Sequence, residues 1–315
     1  MNKVTVIGAG NVGATVAECV AHKDMVNEVV LIDIKEGLSE GKALDIAESA
    51  PIHLFDTKVK GVTNDYGATA DSDICVITSG VPRRPGMSRD DLLGINANIV
   101  RTVTESFVAG SPNAIIIVVS NPLDVMTYVA HEASGFPANR VMGMAGVLDT
   151  ARFRAFVAMA LDVSVKDIQA LLLGGHGDTM VPLPRYTTVG AIPLTELLPA
   201  DQIEKIVART KSGGGEIVKL MGTSAWYAPG AAAAQMVEAI VKNSGRVLPC
   251  AARPSGEYGL SDLFIGLPVR LGHSGIQEIV EVDLNDSEQA LMDISADHIR
   301  SNFEALRRVL SQSNS

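Results

Sequence analysis

Asp149, Arg152 and His176 are residue types that can do chemistry together, and they lie within one stretch of the chain. A carboxylate hydrogen-bonded to one ring nitrogen of an imidazole leaves the other nitrogen to take or give a proton near neutral pH. A guanidinium grips a carboxylate with two parallel N–H donors. Far upstream, Gly8, Gly10 and Gly13 form a GxGxxG loop that can cradle a pyrophosphate. Proton relay, carboxylate grip and dinucleotide cradle are together what hydride transfer on a small hydroxy acid requires. Alone, Asp149 and Arg152 would read as an ordinary ion pair three residues apart on a helix. His176 changes that reading, because Gly174-Gly175-His176-Gly177 follows an apolar stretch and so fixes the imidazole at a strand end. His22, His53, His131 and His298 fall in helical or surface-like polar settings. His273, in Gly-His-Ser-Gly, is the rival, but that tetrapeptide lacks the spacing of a GxSxG nucleophile elbow.

The elements that must position these residues follow from hydrophobic periodicity. Short β-branched runs at 4–7, 28–32, 59–62, 74–78, 114–119 and 141–143 alternate with helical patterns near 12–22, 39–50, 91–109 and 123–134. Continuous apolar strands are buried on both faces, which predicts a parallel sheet covered by helices: a doubly wound, Rossmann-type α/β domain. Past Asp149 the rhythm changes. A helix at 150–161, a strand at 168–173, a helix at 200–211 ending before Gly213-Gly214-Gly215, and helices near 230–242 and 287–310 enclose strands near 247–250 and 276–282. This predicts a second α+β domain, with residues 1–145 binding the dinucleotide and 146–315 holding substrate and catalytic groups.

The glycine loop sits between a strand and a helix, as a dinucleotide site requires. Gly8 permits the tight turn, Gly10 admits the pyrophosphate, and Gly13 lets helix pack on strand. Asp33 stands 20 residues past Gly13 at the end of the next apolar strand. Its carboxylate can accept from ribose hydroxyls and would repel a 2′-phosphate, favouring NAD over NADP.

Bulk properties narrow the classes. The chain has 315 residues, 47% of them apolar, enough for a sizeable core. A net charge of −10 without a Lys/Arg block argues against a nucleic-acid partner. No apolar run is long enough to span a bilayer. Cys19, Cys75 and Cys250 lie far apart with no CxxC, and there is no HExxH, so reduced thiols and no metal centre are expected. A strand beginning near Lys3 leaves no room for a signal peptide, which predicts a cytoplasmic protein.

GAGNVG at 8–13, VLIDI at 30–34, TSGVPRRPGMSRDDL at 78–92, VVSNPLD at 118–124, GVLDTARF at 146–153 and GGHGDTMVPL at 174–183 occur in order. In these motifs the chain resembles the lactate/malate dehydrogenase family over essentially its whole length, and within it the lactate-dehydrogenase-like malate dehydrogenases of bacteria. The resemblance implies an NAD-dependent oxidoreductase of the tricarboxylic acid cycle interconverting (S)-malate and oxaloacetate. It implies His176 as proton acceptor and donor with Asp149 orienting it, and Arg152 and Asn121 as substrate contacts. Gly8, Ala9, Gly10, Asn11, Val12, Gly13, Asp33, Asn96, Val119, Ser120 and Asn121 would be cofactor contacts. It also implies a homo-oligomer, tetramer or dimer, with the helix near 39–50 at a dimer interface.

Residues 80–90 form a basic loop punctuated by Pro and Gly. The resemblance makes it a lid in which Arg89 polarises the reacting carbonyl and Arg83 selects substrate by pairing with a second carboxylate. A lactate or broad 2-hydroxyacid dehydrogenase is the alternative within the enzyme class. A dinucleotide-binding protein without catalysis is the alternative outside it, and such a protein would not need Asp149, Arg152 and His176 intact.

Overall fold

The computed structural model describes residues 1–82 and 89–313. Six strands come first: β1 (Lys3–Ile7), β2 (Glu28–Asp33), β3 (Lys58–Thr63), β4 (Ile74–Ile77), β5 (Ile115–Val118) and β6 (Val141–Gly143). They are parallel and ordered β3-β2-β1-β4-β5-β6. Side chains alternate between faces with period two. In β2, Val29 and Leu31 enter one core while Val30 and Ile32 enter the other. Ile115 and Ile117 of β5 divide from Ile116 and Val118 in the same way. Two-sided burial is why these strands read as unbroken apolar runs.

Helices α1 (Asn11–His22), α2 (Leu38–Glu48), α3 (Ala50–His53), α4 (Arg89–Val108) and α5 (Leu123–Ser134) make the crossovers. The helix expected over 39–50 divides into α2 and α3, and Pro51, which has no N–H to give, sits in the first turn of α3. α6 (Gly146–Leu161) begins four residues earlier than the expected 150, which places both Asp149 and Arg152 inside it.

The second half adds β7 (Ile168–Gln169), β8 (Leu172–Gly174), β9 (Met180–Pro182), β10 (Thr188–Val189), β11 (Ile192–Pro193), α7 (Leu194–Leu197), α8 (Ala200–Met221), α9 (Tyr227–Val241), β12 (Val247–Ala252), β13 (Ile265–Gly272), β14 (Gly275–Ile279) and α10 (Asp286–Ser313). β12, β13, β8 and β9 extend the first sheet with antiparallel pairings, joined to it where Ala251 pairs Gly143. The strand expected at 168–173 is two strands. β7 joins a small sheet with β10 and β11, and the chain then crosses so that β8 enters the main sheet. β13 was not foreseen. It carries Pro268 in its middle, paired in register with Pro249 of β12, and prolines give no donor to a ladder.

α8 also departs from expectation. It runs unbroken through Gly213, Gly214 and Gly215, where the sequence reading ended it. Glycine in a helix interior costs about 1 kcal/mol relative to alanine. Packing offsets that cost: α8 lies along α6, and a Cβ on Gly213 would stand 3.2 Å from Arg152 Cδ. α9 crosses back onto α1 on one face of the sheet, while α4, α5 and α10 cover the other.

Candidate active site

The glycine loop is built by close approach. Gly8 has φ +104, a conformation that L side chains rarely adopt. A Cβ on Gly13 would fall 1.8 Å from the Gly8 carbonyl oxygen, so only glycine lets α1 sit this near β1. Gly10 has open space where its side chain would be. α1 starts at Asn11 with no side-chain cap, so its first N–H groups are left for a ligand phosphate. Asp33 closes the loop from the end of β2: Ala9 N–H donates to its Oδ2 at 2.7 Å and Lys35 N–H to its Oδ1 at 3.0 Å. Each carboxylate oxygen keeps a lone pair for a ribose hydroxyl. These features fit a dinucleotide.

Three cavities adjoin. One of about 300 Å³ holds Gly8, Gly10 and Asp33. It meets one of about 610 Å³ lined by Asn11, Val12, Gly13, Asn96, Ser120 and Trp226, among others. That in turn shares Val12, Val119 and Asn121 with a third of about 370 Å³, where Arg152 and His176 stand. Ala9 is buried, and its N–H is given to Asp33. Asn96 on α4 braces the middle: its amide donates to the Asn121 carbonyl at 2.8 Å, and its Oδ1 accepts from Val81 N–H at 2.8 Å.

At the far end His176 Nδ1 lies 2.8 Å from Asp149 Oδ2. Asp149 is 1% exposed and sits in the first turn of α6, where the helix dipole favours its charge. With Nδ1–H given to Asp149, His176 Nε2 carries the lone pair. Burial works against a charged His176. The Asp149 carboxylate, its hydrogen bond and a second carboxyl at Asp124 outweigh burial and raise the imidazole pKa above its ordinary value. Arg152 makes one long contact, 3.4 Å from Nη1 to Asp149 Oδ1, and its buried Nε has no partner among the described residues. A guanidinium so incompletely paired is suited to an incoming carboxylate.

Asp124 ends the VVSNPLD motif, which by itself assigns it no role. It is 7% exposed at the start of α5, and its Oδ2 accepts the His176 backbone N–H at 3.1 Å. Burial pushes its carboxyl up to about 7, against the pull of His176. Ser295 of α10 holds the preceding residue, its Oγ accepting Gly175 N–H at 2.7 Å. Tertiary contacts alone reveal both, although a charged residue in an otherwise apolar helix start was a signal for Asp124. Arg83 lies outside the described residues, as does the Arg89 side chain; the Arg89 backbone opens α4.

A parallel sheet in this order, a glycine loop between β1 and α1, and a carboxylate–imidazole pair beside an incompletely paired arginine define a nucleotide-dependent oxidoreductase of the dehydrogenase type. The chain belongs to the lactate/malate dehydrogenase family. Residues 2–143 match the family's NAD binding domain and residues 146–309 its alpha/beta C-terminal domain. Among relatives, the malate dehydrogenase of Salinibacter ruber is 69% identical over 307 residues, 98% of each chain. The solved structure of a Salinibacter ruber malate dehydrogenase superposes with a TM-score of 0.95 at 66% identity, covering 99% of both chains. A Cryptosporidium parvum lactate dehydrogenase complexed with lactic acid and cofactor superposes with a TM-score of 0.93 at 39% identity, covering 97% of this chain and 98% of that one.

Proposed function

We infer that the chain is an NAD-dependent malate dehydrogenase, interconverting (S)-malate and oxaloacetate. The observation that carries this reading is the pair of His176 with the buried Asp149, 2.8 Å apart, beside an arginine whose Nε has no partner among the described residues, at the end of the nucleotide groove. Bound NAD supplies the acceptor for hydride leaving C2 of the hydroxy acid. His176 Nε2 takes the hydroxyl proton in oxidation and returns it to the carbonyl oxygen in reduction. Asp149 holds the ring in the required tautomer and stabilises the imidazolium. Arg152 binds the C1 carboxylate as a fork and so orients C2. Asp124 fixes the backbone that carries His176.

In this reading Arg89 polarises the carbonyl and Arg83 pairs with the second carboxylate. Facing the methyl of pyruvate in a closed site, Arg83 would be a buried charge without a partner, at a cost of about 3–5 kcal/mol. A factor of at least about one hundred against pyruvate follows. The high identity to proteins named malate dehydrogenase supports this choice over lactate. The chain is further read as two domains dividing near residue 145, and as a cytoplasmic homo-oligomer. Among the described residues no helix is long and apolar enough to cross a membrane. Exposed Leu44, Ile52 and Leu54 on and beside α2 and α3 support an interface there.

The test is NADH oxidation with oxaloacetate and with pyruvate. Strong preference for oxaloacetate is expected, and Arg83→Gln should move that preference toward pyruvate. Preference for pyruvate in the unmodified protein would make it a lactate dehydrogenase. NADH binding without turnover of any 2-oxo acid would make it non-catalytic.

A further inference from the structure

α8 turns one stripe of residues toward the substrate cavity: Lys211, Gly214, Gly215 and Val218. Their spacing of three, four and seven is a single face of a helix. The glycines on that stripe leave space, and Lys211 puts a positive charge beside it. Arg209, two residues earlier, is held by Glu216 in a 2.8 Å ion pair and lies over the Phe156 ring. Lys211 is half-buried and has no hydrogen bond or ion pair among the described residues. Lysines on a solvated face extend their ammonium into bulk water; this one lines the cavity that holds Arg152 and His176.

Among the described residues lining this cavity, Arg152 and Lys211 are placed for different work. Arg152 lies against Gly213 and Gly214, where Cβ atoms would meet its side chain at 3.2 Å and 3.8 Å. Lys211 stands one turn earlier, on the stripe turned to the open space. A substrate whose C1 carboxylate is gripped by Arg152 therefore leaves Lys211 for a second anionic group.

We propose that Lys211 is a substrate-binding residue of this enzyme, pairing with the carboxylate remote from the reacting carbon. The proposal rests on the dicarboxylate reading above. It adds a selector carried by a helix of the second half, separate from Arg83. An ammonium is a point charge with three rotatable donors, so it accepts the remote carboxylate in more than one orientation.

The experiment begins with the unmodified protein on oxaloacetate and pyruvate; absence of an oxaloacetate preference there overturns the dicarboxylate reading itself. With that preference established, Lys211→Met keeps the apolar stem and removes the charge. KM for oxaloacetate should rise about tenfold, while KM for pyruvate and the NADH Kd stay within about twofold. The oxaloacetate KM should also lose part of its dependence on ionic strength. Lys211→Arg should restore most of the loss, and Lys211→Gln should repeat the Met result if Met disturbs folding, as read by Tm. A change falling equally on both substrates, or on neither, overturns the role of Lys211.

Discussion

At the scale of single residues, the site is a contest over the charge of one imidazole. Burial and the nearby charge of Arg152 favour a neutral His176, and the Asp149 carboxylate, with a smaller contribution from Asp124, reverses that outcome. Carbonyl reduction needs the imidazolium and hydroxy-acid oxidation needs the neutral ring. Because the pKa is raised, kcat/KM for oxaloacetate should fall at a higher pH than an ordinary imidazole would give, while malate oxidation rises over the same interval. Asp149→Asn removes the largest upward influence, so both limbs should move to lower pH. Limbs that stay in place would detach Asp149 from the titration. His176→Asn should lower turnover by about 10²–10⁴ with NADH affinity intact by fluorescence titration. Turnover near that of the unmodified protein would exclude His176 as the acid–base group. These residue types were legible in the sequence because the chemistry requires them. The role of Asp124 was not, because an acid in a motif says nothing of its burial until the turn carrying His176 packs against it.

At the scale of elements, the lesson lies in α8. Three consecutive glycines read as a helix end by propensity, yet the helix continues to Met221. What propensity disfavours, the fit to Arg152 requires. Gly213→Ala tests the balance. Helix propensity should add up to about 1 kcal/mol of stability, while the new methyl presses on Arg152 at 3.2 Å. Tm is expected to hold or rise, and KM for oxaloacetate to rise several-fold as the guanidinium is displaced. An unchanged KM would show that Arg152 adjusts without loss. The same lesson applies to β7 and β8: an apolar run fixes that strands form, but the sheet each joins is settled by its neighbours. In β13 the period-two pattern was present, but Pro268 masked it, since its register opposite Pro249 of the preceding strand appears only once the two strands pair.

At the scale of the whole molecule, the two halves are tied together by the sheet and by α9 lying on α1. Gly230 of α9 sits so close to α1 that a Cβ would meet Thr15 at 2.6 Å. Gly230→Ala should therefore push α9 from α1, cost about 1–3 kcal/mol, and lower Tm by several degrees. NADH affinity should weaken with it, because α1 presents the uncapped N-terminus proposed to hold the phosphates and Trp226, next to α9, lines the same cavity. A Tm equal to that of the unmodified protein would show that this contact has room to relax. The fold alone does not choose the substrate: a lactate dehydrogenase superposes with a TM-score of 0.93. Selection must come from side chains within the shared frame.

The sequence by itself determined the parallel sheet, the glycine loop with its acid at Asp33, and the trio Asp149, Arg152 and His176. Each is written locally, in alternation, in turn chemistry, or in residue types that the proposed reaction would use. Only the tertiary structure decided that Asp124 and Ser295 clamp the His176 turn, that glycines of α8 make room for Arg152, and that Lys211 lines the cavity holding Arg152 and His176. Those facts concern the space between elements remote in sequence. That space is set by how whole helices pack, which no local pattern encodes.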